Sequence, residues 1–390
     1  MTSPPPTSEN IFVCCRVRPM LGTTEKEAGP CLKILPDCLS IQMQNGHDER
    51  TFGFEKVFSP YATQEDIFSN VVVPMLSSFM NGYSAAIIAY GQTASGKTHT
   101  MLGTPESPGI IPRISEELFR RIEEASVHEC FTVSCRAVQI YKEKLIDMLS
   151  PSETPQHCEI YEDNSRGLWV TDATECAVTS AAEVQHVIAK AETMRVVAST
   201  MQNVESSRSH AVFILTAVRR DLSSAVEKTS LLYLVDLAGS ECIEKTQSSG
   251  LLLDEARYIN TSLLTLRRVI DSLINKESHV PYRDSKLTRL LKNSFGGNSK
   301  TSLIVCVSPS LYNEAETMAT LRFGSSTRQI TNRPQQSVTR SAEELERLIA
   351  EAQVKVLQAK AYLFLLQTET ERVEGTVVKG MNEEEGGGGE

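Results

Sequence analysis

A lysine and a threonine stand side by side at Lys97 and Thr98, six residues after a glycine that ends an apolar run. That spacing, G-x-x-x-x-G-K-T from Gly91 through Gln92, Thr93, Ala94, Ser95 and Gly96 to Thr98, suits a phosphate. Successive backbone N–H groups of such a loop cradle phosphate oxygens. Lys97 would reach the β/γ-phosphates and the Thr98 hydroxyl would ligate Mg²⁺. Taken alone, the pattern also fits an ordinary strand–turn–helix. Two further segments narrow it. Asp236 ends a buried apolar run and opens DLAGSE, where an acid can hold Mg²⁺ through water. Gly239 in the same segment lets its N–H approach a γ-phosphate closely. The other segment, NVESSRSH from Asn203 to His210, gathers Ser206, Ser207, Ser209, Arg208 and an imidazole; by itself it also reads as a serine-rich turn.

The elements that must hold these groups follow from hydrophobic patterning. Strands are expected at 11–17, 38–43, 51–58, 131–141, 211–219, 230–237 and 302–307, with a short strand or turn at 144–149. Helices are expected at 64–80, 114–124, 180–193, 256–274, 284–293 and 314–330. Gly22, Gly29 and Pro30 read as loop punctuation. Strands with intervening helices imply an α/β fold of the P-loop NTPase kind, with a central, mostly parallel but mixed sheet and helices on both faces. Nucleotide would sit at the strand carboxyl ends. Arg16, Arg18 and Pro19 follow the first strand. A guanidinium plane and a proline ring there could pack on a nucleobase, or simply form a charged strand end.

The chain has 390 residues, 41% hydrophobic and 23% charged, enough for one large or two ordinary cores. No apolar run reaches membrane-spanning length, and the start, MTSPPPTSEN, reads as a disordered leader without secretory character. Ten cysteines without C-x-x-C spacing fit reduced thiols in the cytoplasm better than a disulfide frame. The formal net charge is −10, so an acidic partner would need a local basic patch.

Such a patch exists. Between Arg257 and Lys300 lie nine Lys or Arg against three acids, Asp271, Glu277 and Asp284. No aromatic platform or recognition motif accompanies it, which argues against nucleic acid. After Pro334 the texture changes to a helix-rich composition over 341–370, with a weak seven-residue recurrence at Leu345, Ala352, Ala359 and Leu366. A helix lying along the domain and a stalk that could form a homodimer are both open readings.

Together with R-x-R-P at Arg16–Pro19, YxEKxxDxL from Tyr141 to Leu149 and HVPYRDSKLTRLL from His279, the segments GQTASGKTHTM, SSRSH and VDLAGSE resemble a kinesin motor domain in order and spacing. CVSPSLYNEAETMATLRFG looks most like conventional, plus-end-directed kinesins. The resemblance implies a microtubule-stimulated ATPase on the cytoskeleton, binding ATP or ADP with Mg²⁺. In it, Arg16, Arg18, Pro19 and His99 lie at the adenine. Asn203, Ser206, Ser207 and Arg208 form switch I, with Ser207 joining Thr98 on Mg²⁺. Asp236, Gly239 and Glu241 form switch II, Glu241 pairing with Arg208 and relaying a proton. Lys142, Lys144, Lys245, Arg257, Arg283, Lys286 and Arg289 would face α/β-tubulin. It also implies a motor domain at 10–330, a neck linker at 331–340 and a neck or stalk-like helix at 341–372; composition gives the leader at 1–9 and a flexible acidic, Gly-rich tail at 373–390.

Departures from the family pattern are Ala94 in the phosphate loop, Thr261, Arg267 and Arg268 in the helix after switch II, and Ser337 where conventional kinesins latch the neck linker with Asn. Ser offers fewer hydrogen bonds, which predicts weaker docking. Competing readings are a nucleotide-gated microtubule anchor and a kinesin acting on filament ends. A generic P-loop GTPase is disfavoured because no NKxD element is present.

Overall fold

Alternation decides the architecture. In Ile87–Ile88, Leu234–Val235 and Ile304–Val305, the first residue of each pair enters one apolar layer and the second enters the other. Strands buried on both faces need a helical layer on each side. The computed structural model describes residues 8–45, 48–152, 156–163, 167–201, 208–223, 226–241, 251–340, 346, 349–350, 353–364 and 366, with backbone alone at 44–45, 48, 163, 167, 196–201, 251–260 and 340. The chain forms two units, 1–220 with 228–338, and 221–227 with 339–390. The second is helical over 353–364.

The first unit starts with β1 (Phe12–Val17), α1 (Gly22–Ala28) and β2 (Lys56–Phe58). Next come β3 (Ala85–Tyr90), the short α2 (Lys97–Met101) and α3 (Ile110–Glu123). They are followed by β4 (Glu129–Tyr141), β5 (Lys144–Asp147), β6 (His157–Asp163), β7 (Gly167–Thr171) and α4 (Ala181–Met201). After β8 (His210–Asp221) and β9 (Val226–Asp236) come α5 (Leu251–Ile274), α6 (Lys286–Leu290), β10 (Lys300–Val307) and α7 (Glu314–Thr327).

The sheet runs in the order β7-β6-β5-β4-β8-β9-β3-β10-β1-β2. From β9 to β2 neighbouring strands are parallel, and from β4 to β7 they are antiparallel. The mixed sheet expected from the sequence is therefore present. One layer packs Leu263, Leu266 and Ile270 of α5 with Leu321 of α7. The opposite layer packs Leu76, Ile114 and Ile188. Register sets Asp236 beside Ala89, so the carboxyl ends of β9 and β3 meet at one edge.

Three expectations are corrected. The stretch after Pro19 is a helix, α1, rather than a loop, because Glu25 takes the Leu21 N–H and ion-pairs with Arg18. The 64–80 helix contains a π turn at Phe68–Val72, where the Val73 N–H bonds back to Phe68. Pro74 has no N–H to continue the α ladder, and the wider turn absorbs the loss. The helix expected at 284–293 is broken: Tyr282–Asp284 is a 3₁₀ turn, and Ser285 caps α6 through the Leu287 N–H at 3.1 Å.

Candidate nucleotide site

The phosphate loop leaves β3 at Gly91, where an added Cβ would collide with the Cys306 carbonyl, so only glycine fits. Ala94 and Gly96 both take left-handed backbone, at φ 58° and 98°. For Ala94 that conformation costs about 1–2 kcal/mol. Arg18 Nε offsets part of it by donating to the Ala94 carbonyl at 2.7 Å. Lys97 is buried, with Nζ donating to the Gly91 and Gln92 carbonyls at 2.9 and 2.8 Å. Burial pushes its pKa down, while Asp236 and Glu241 oppose that shift. Ser95 Oγ is buried without a hydrogen-bond partner.

The structure brings Asp236 and Thr98 together: Thr98 Oγ1 donates to Asp236 Oδ2 at 2.7 Å. The other carboxylate oxygen, Oδ1, is buried and takes no partner. A buried anionic oxygen beside a hydroxyl suits a hydrated divalent cation. Among the described residues no cluster of three or more His, Cys, Asp or Glu could cage a metal alone. Phosphate oxygens and water would complete the shell. Sequence reasoning missed Arg195, whose Nη1 donates to Asp236 Oδ2 at 3.2 Å. A signal was available: Val184, Ile188 and Ala191 form the buried stripe of α4, and Arg195 continues it. A cation on an apolar stripe calls for a buried acid.

Glu241 reaches into the phosphate loop. Its Oε2 accepts the Thr93 N–H at 2.7 Å, and its Oε1 accepts the Thr93 hydroxyl. Arg208, expected to pair with Glu241 as the switches close, is half-buried just before β8, and in this structure Thr93 holds the Glu241 carboxylate. Ser240 N donates to the Gly91 carbonyl at 3.2 Å, so the two loops lie side by side. At Gly239 a Cβ would strike both the Glu241 carboxylate and Thr93 Oγ1. A side chain there would have to displace the Glu241 carboxylate from Thr93, so glycine leaves this junction undisturbed. Asn203, Ser206, Ser207 and Lys245 lie outside the described residues, as does the side chain of Arg257.

At the base end both arginines are held by protein partners. Arg18 is buried and bidentate to Glu25, at 2.7 and 2.5 Å, and the guanidinium holds the Glu25 carboxyl down at about 2. Arg16 is buried too, with Nη1 donating to Gln64 Oε1 and Thr100 Oγ1, both at 2.9 Å. Both guanidinium groups brace the loop. Pro19 and His99 are exposed and remain available to a base. Gln64 and Glu25 were not singled out in the sequence. Gln64 Nε2 donates to the His99 carbonyl at 2.7 Å. Asn313 joins Glu25 to Gln92, at 2.8 and 2.9 Å.

Among the described residues, the Lys142–Lys144 turn meets α6 although the two are far apart in sequence. Lys142 and Glu143 form a tight turn with φ of 48° and 57°. Glu143 accepts the Lys286 N–H at 2.6 Å and the Ser285 hydroxyl at 3.0 Å, fixing this turn to α6. Lys144 and Arg283 are exposed, and Arg289 is half-buried. Lys286 is paired with Glu159 at 2.5 Å, and Lys292 with Glu162. Arg267 and Arg268 are exposed on α5, so these departures alter the surface and leave the core unchanged.

The fold and loops define a P-loop nucleotide-binding domain with two strand-end loops around the phosphate site. The sequence matches the kinesin motor domain family over residues 16–330, and the chain belongs to that family. It is 40% identical to a kinesin heavy chain of Syncephalastrum racemosum, over 96% of this chain and 41% of the relative. It is 42% identical to a kinesin heavy chain of Caenorhabditis elegans, over 86% of this chain and 41% of the relative. The chain thus spans about two-fifths of the length of these curated relatives. A solved structure of a fast kinesin superposes with TM-score 0.80 at 39% identity, covering 85% of this chain and 95% of that one. A KIF14 dimer with AMP-PNP in complex with a microtubule gives TM-score 0.78 at 33% identity, covering 85% and 97%.

Proposed function

We propose that this chain hydrolyses ATP in a microtubule-stimulated manner and couples hydrolysis to movement along microtubules, toward the plus end. The observation that carries the reading is the junction of Glu241 with Thr93: the loop after β9 is tied to the phosphate loop. A group arriving at the terminal phosphate would meet Gly239 and Glu241 together. Hydrolysis of this kind needs an oriented water, a positive cradle and little covalent chemistry from the protein. Lys97 and the loop N–H groups supply the cradle. Glu241 is the carboxylate able to orient water and accept its proton, and Gly239 leaves room for it. Thr98 and Ser207, with Asp236 through water, would hold Mg²⁺, which would supply positive charge against the developing phosphate charge. Pro19 and His99 receive the adenine.

The same loop continues toward α5, and α6 carries Lys286 and Arg289 beside the Lys142–Lys144 turn. Tubulin is acidic, so these residues, with Lys245, Arg257 and Arg283, supply an electrostatic grip that weakens with salt. The solved KIF14 complex with a microtubule supports this partner. The site would operate on cytoplasmic microtubules, and the segment after 341 would pair two copies. The test is microtubule-dependent ATP turnover with polarity-marked gliding on one sample. Turnover without gliding would replace the motor by an anchor. Absence of microtubule stimulation would refute the proposal.

A further inference from the structure

His210 closes the serine-rich segment and opens β8, and the nucleotide chemistry gives it no task. Its ring is 2% exposed. Nδ1 accepts the Ala238 N–H at 3.0 Å, and Nε2 lies 2.8 Å from Ser262 Oγ. An Nδ1 that accepts leaves the proton on Nε2, so the ring donates to Ser262. Burial above all, with the charges of Arg195 and Lys97, lowers the ring pKa to about 3. The ring is therefore neutral, with one acceptor and one donor.

Three elements meet at that ring: the start of β8, the loop that carries Gly239 and Glu241, and α5. Ala238 is the immediate neighbour of Gly239. Ser262 is buried one residue before Leu263, which packs with Leu266 and Ile270 into the core. A shift of the loop when Gly239 meets a phosphate moves the Ala238 N–H. The rigid ring then carries the shift to α5, or its bond to Ser262 breaks.

We propose that His210 is a positioning residue that links the phosphate-sensing loop to α5 through the Ala238 N–H and the Ser262 hydroxyl. The inference rests on the reading of this chain as a nucleotide-gated microtubule motor. It adds the specific connection by which the phosphate site reaches the helix.

The test uses the full chain and two variants, Ser262→Ala and Ser262→Thr. Microtubule affinity is measured with ADP and with AMP-PNP, and nucleotide affinity and melting temperature are measured beside it. In Ser262→Ala the ratio of the two microtubule affinities should shrink about fivefold, the size of one buried hydrogen bond. Nucleotide affinity should stay within about twofold, since Ser262 lies on α5 and its hydroxyl bonds His210. Ser262→Thr retains the hydroxyl and should keep the wild-type ratio. An unchanged ratio in Ser262→Ala overturns the link. Equal shrinkage in both variants also overturns it, because packing rather than the hydroxyl would then be responsible. A wild-type ratio of one refutes the motor reading itself and removes the basis of the link.

Discussion

Asn332→Ala should release the segment that follows α7 while leaving the core folded. Asn332 is 1% exposed. Its Oδ1 accepts the Gly296 N–H at 2.8 Å. Its Nδ2 faces the Ser294 and Ser299 carbonyls at 3.0 and 2.7 Å and Thr301 Oγ1 at 3.1 Å. An amide nitrogen has two protons, so about three bonds are made at once. At roughly 1 kcal/mol each, their loss shifts the docked–released equilibrium by about 3 kcal/mol, on the order of 100-fold. The released state is hydrated, so most of that difference falls on docking. Native-state hydrogen exchange reads it directly. The amides of Arg333, Gln335 and Ser337 donate to Gly297, Asn298 and Gly82 carbonyls, at 2.8, 3.3 and 3.0 Å. Their exchange should accelerate by about 100-fold, while Ile304 in β10 keeps its protection. Unchanged exchange at 333, 335 and 337 would refute the reasoning. So would equal acceleration at Ile304, which would make Asn332 a general core residue.

Glu241→Ala should retain nucleotide affinity within a few fold and lower ATP turnover by at least about 100-fold, consistent with losing a proton-accepting group; steady-state hydrolysis at the wild-type rate counts against the role. Glu159→Gln with Glu162→Gln should strengthen microtubule binding by a few fold at low salt, because Lys286 and Lys292 no longer have internal carboxylate partners. Co-sedimentation across a salt series checks this, and weaker binding would mean that the acids organise the face instead. The lowered pKa of His210 means that the unfolded state binds the proton first. Its contribution to stability is complete above about pH 6.5 and is lost as pH falls from there toward 3, by up to about 1.4 kcal/mol per pH unit. His210→Gln should lack that component in urea melts between pH 6.5 and 5, and parallel curves for the two proteins would contradict it.

The sheet was legible because β3, β9 and β10 are apolar on both faces, a pattern with few other solutions. Helix α1 was not. Its sequence, GTTEKEA, carries no apolar stripe; the Arg18–Glu25 ion pair, the Leu21 N–H contact and the distant Asn313 and Ser310 side chains hold it in place. The π turn was hidden because a 3.6-residue periodicity tolerates one slipped turn, and Pro74 was the only local hint. The neck-linker expectation rested on Ser337 as a poor latch. The structure holds Ser337 by its backbone, with its N–H to Gly82 and its carbonyl to the Thr229 N–H. The buried side-chain anchor is Asn332, five residues earlier.

The site divides along the same line. Loop residues such as Lys97, Thr98 and Asp236 are named by spacing, because their chemistry needs consecutive backbone groups or a strand end. Their supports are single residues, most of them distant: Arg195 for Asp236, Gln64 for Arg16 and Glu143 for α6, with Glu25 for Arg18 nearer by. No local pattern encodes such pairs, and only burial of a charge on an apolar stripe, as at Arg195, exposes one in advance. Ala94 shows why the supports matter. The family pattern puts Gly or Ser there, and left-handed Ala is strained. The strain is tolerable in this chain because Arg18, fixed by Glu25, bonds the Ala94 carbonyl from outside the loop. Weakening the Arg18–Glu25 pair should therefore loosen the phosphate loop at Ala94 before it disturbs β1, which is held by parallel ladders on both sides.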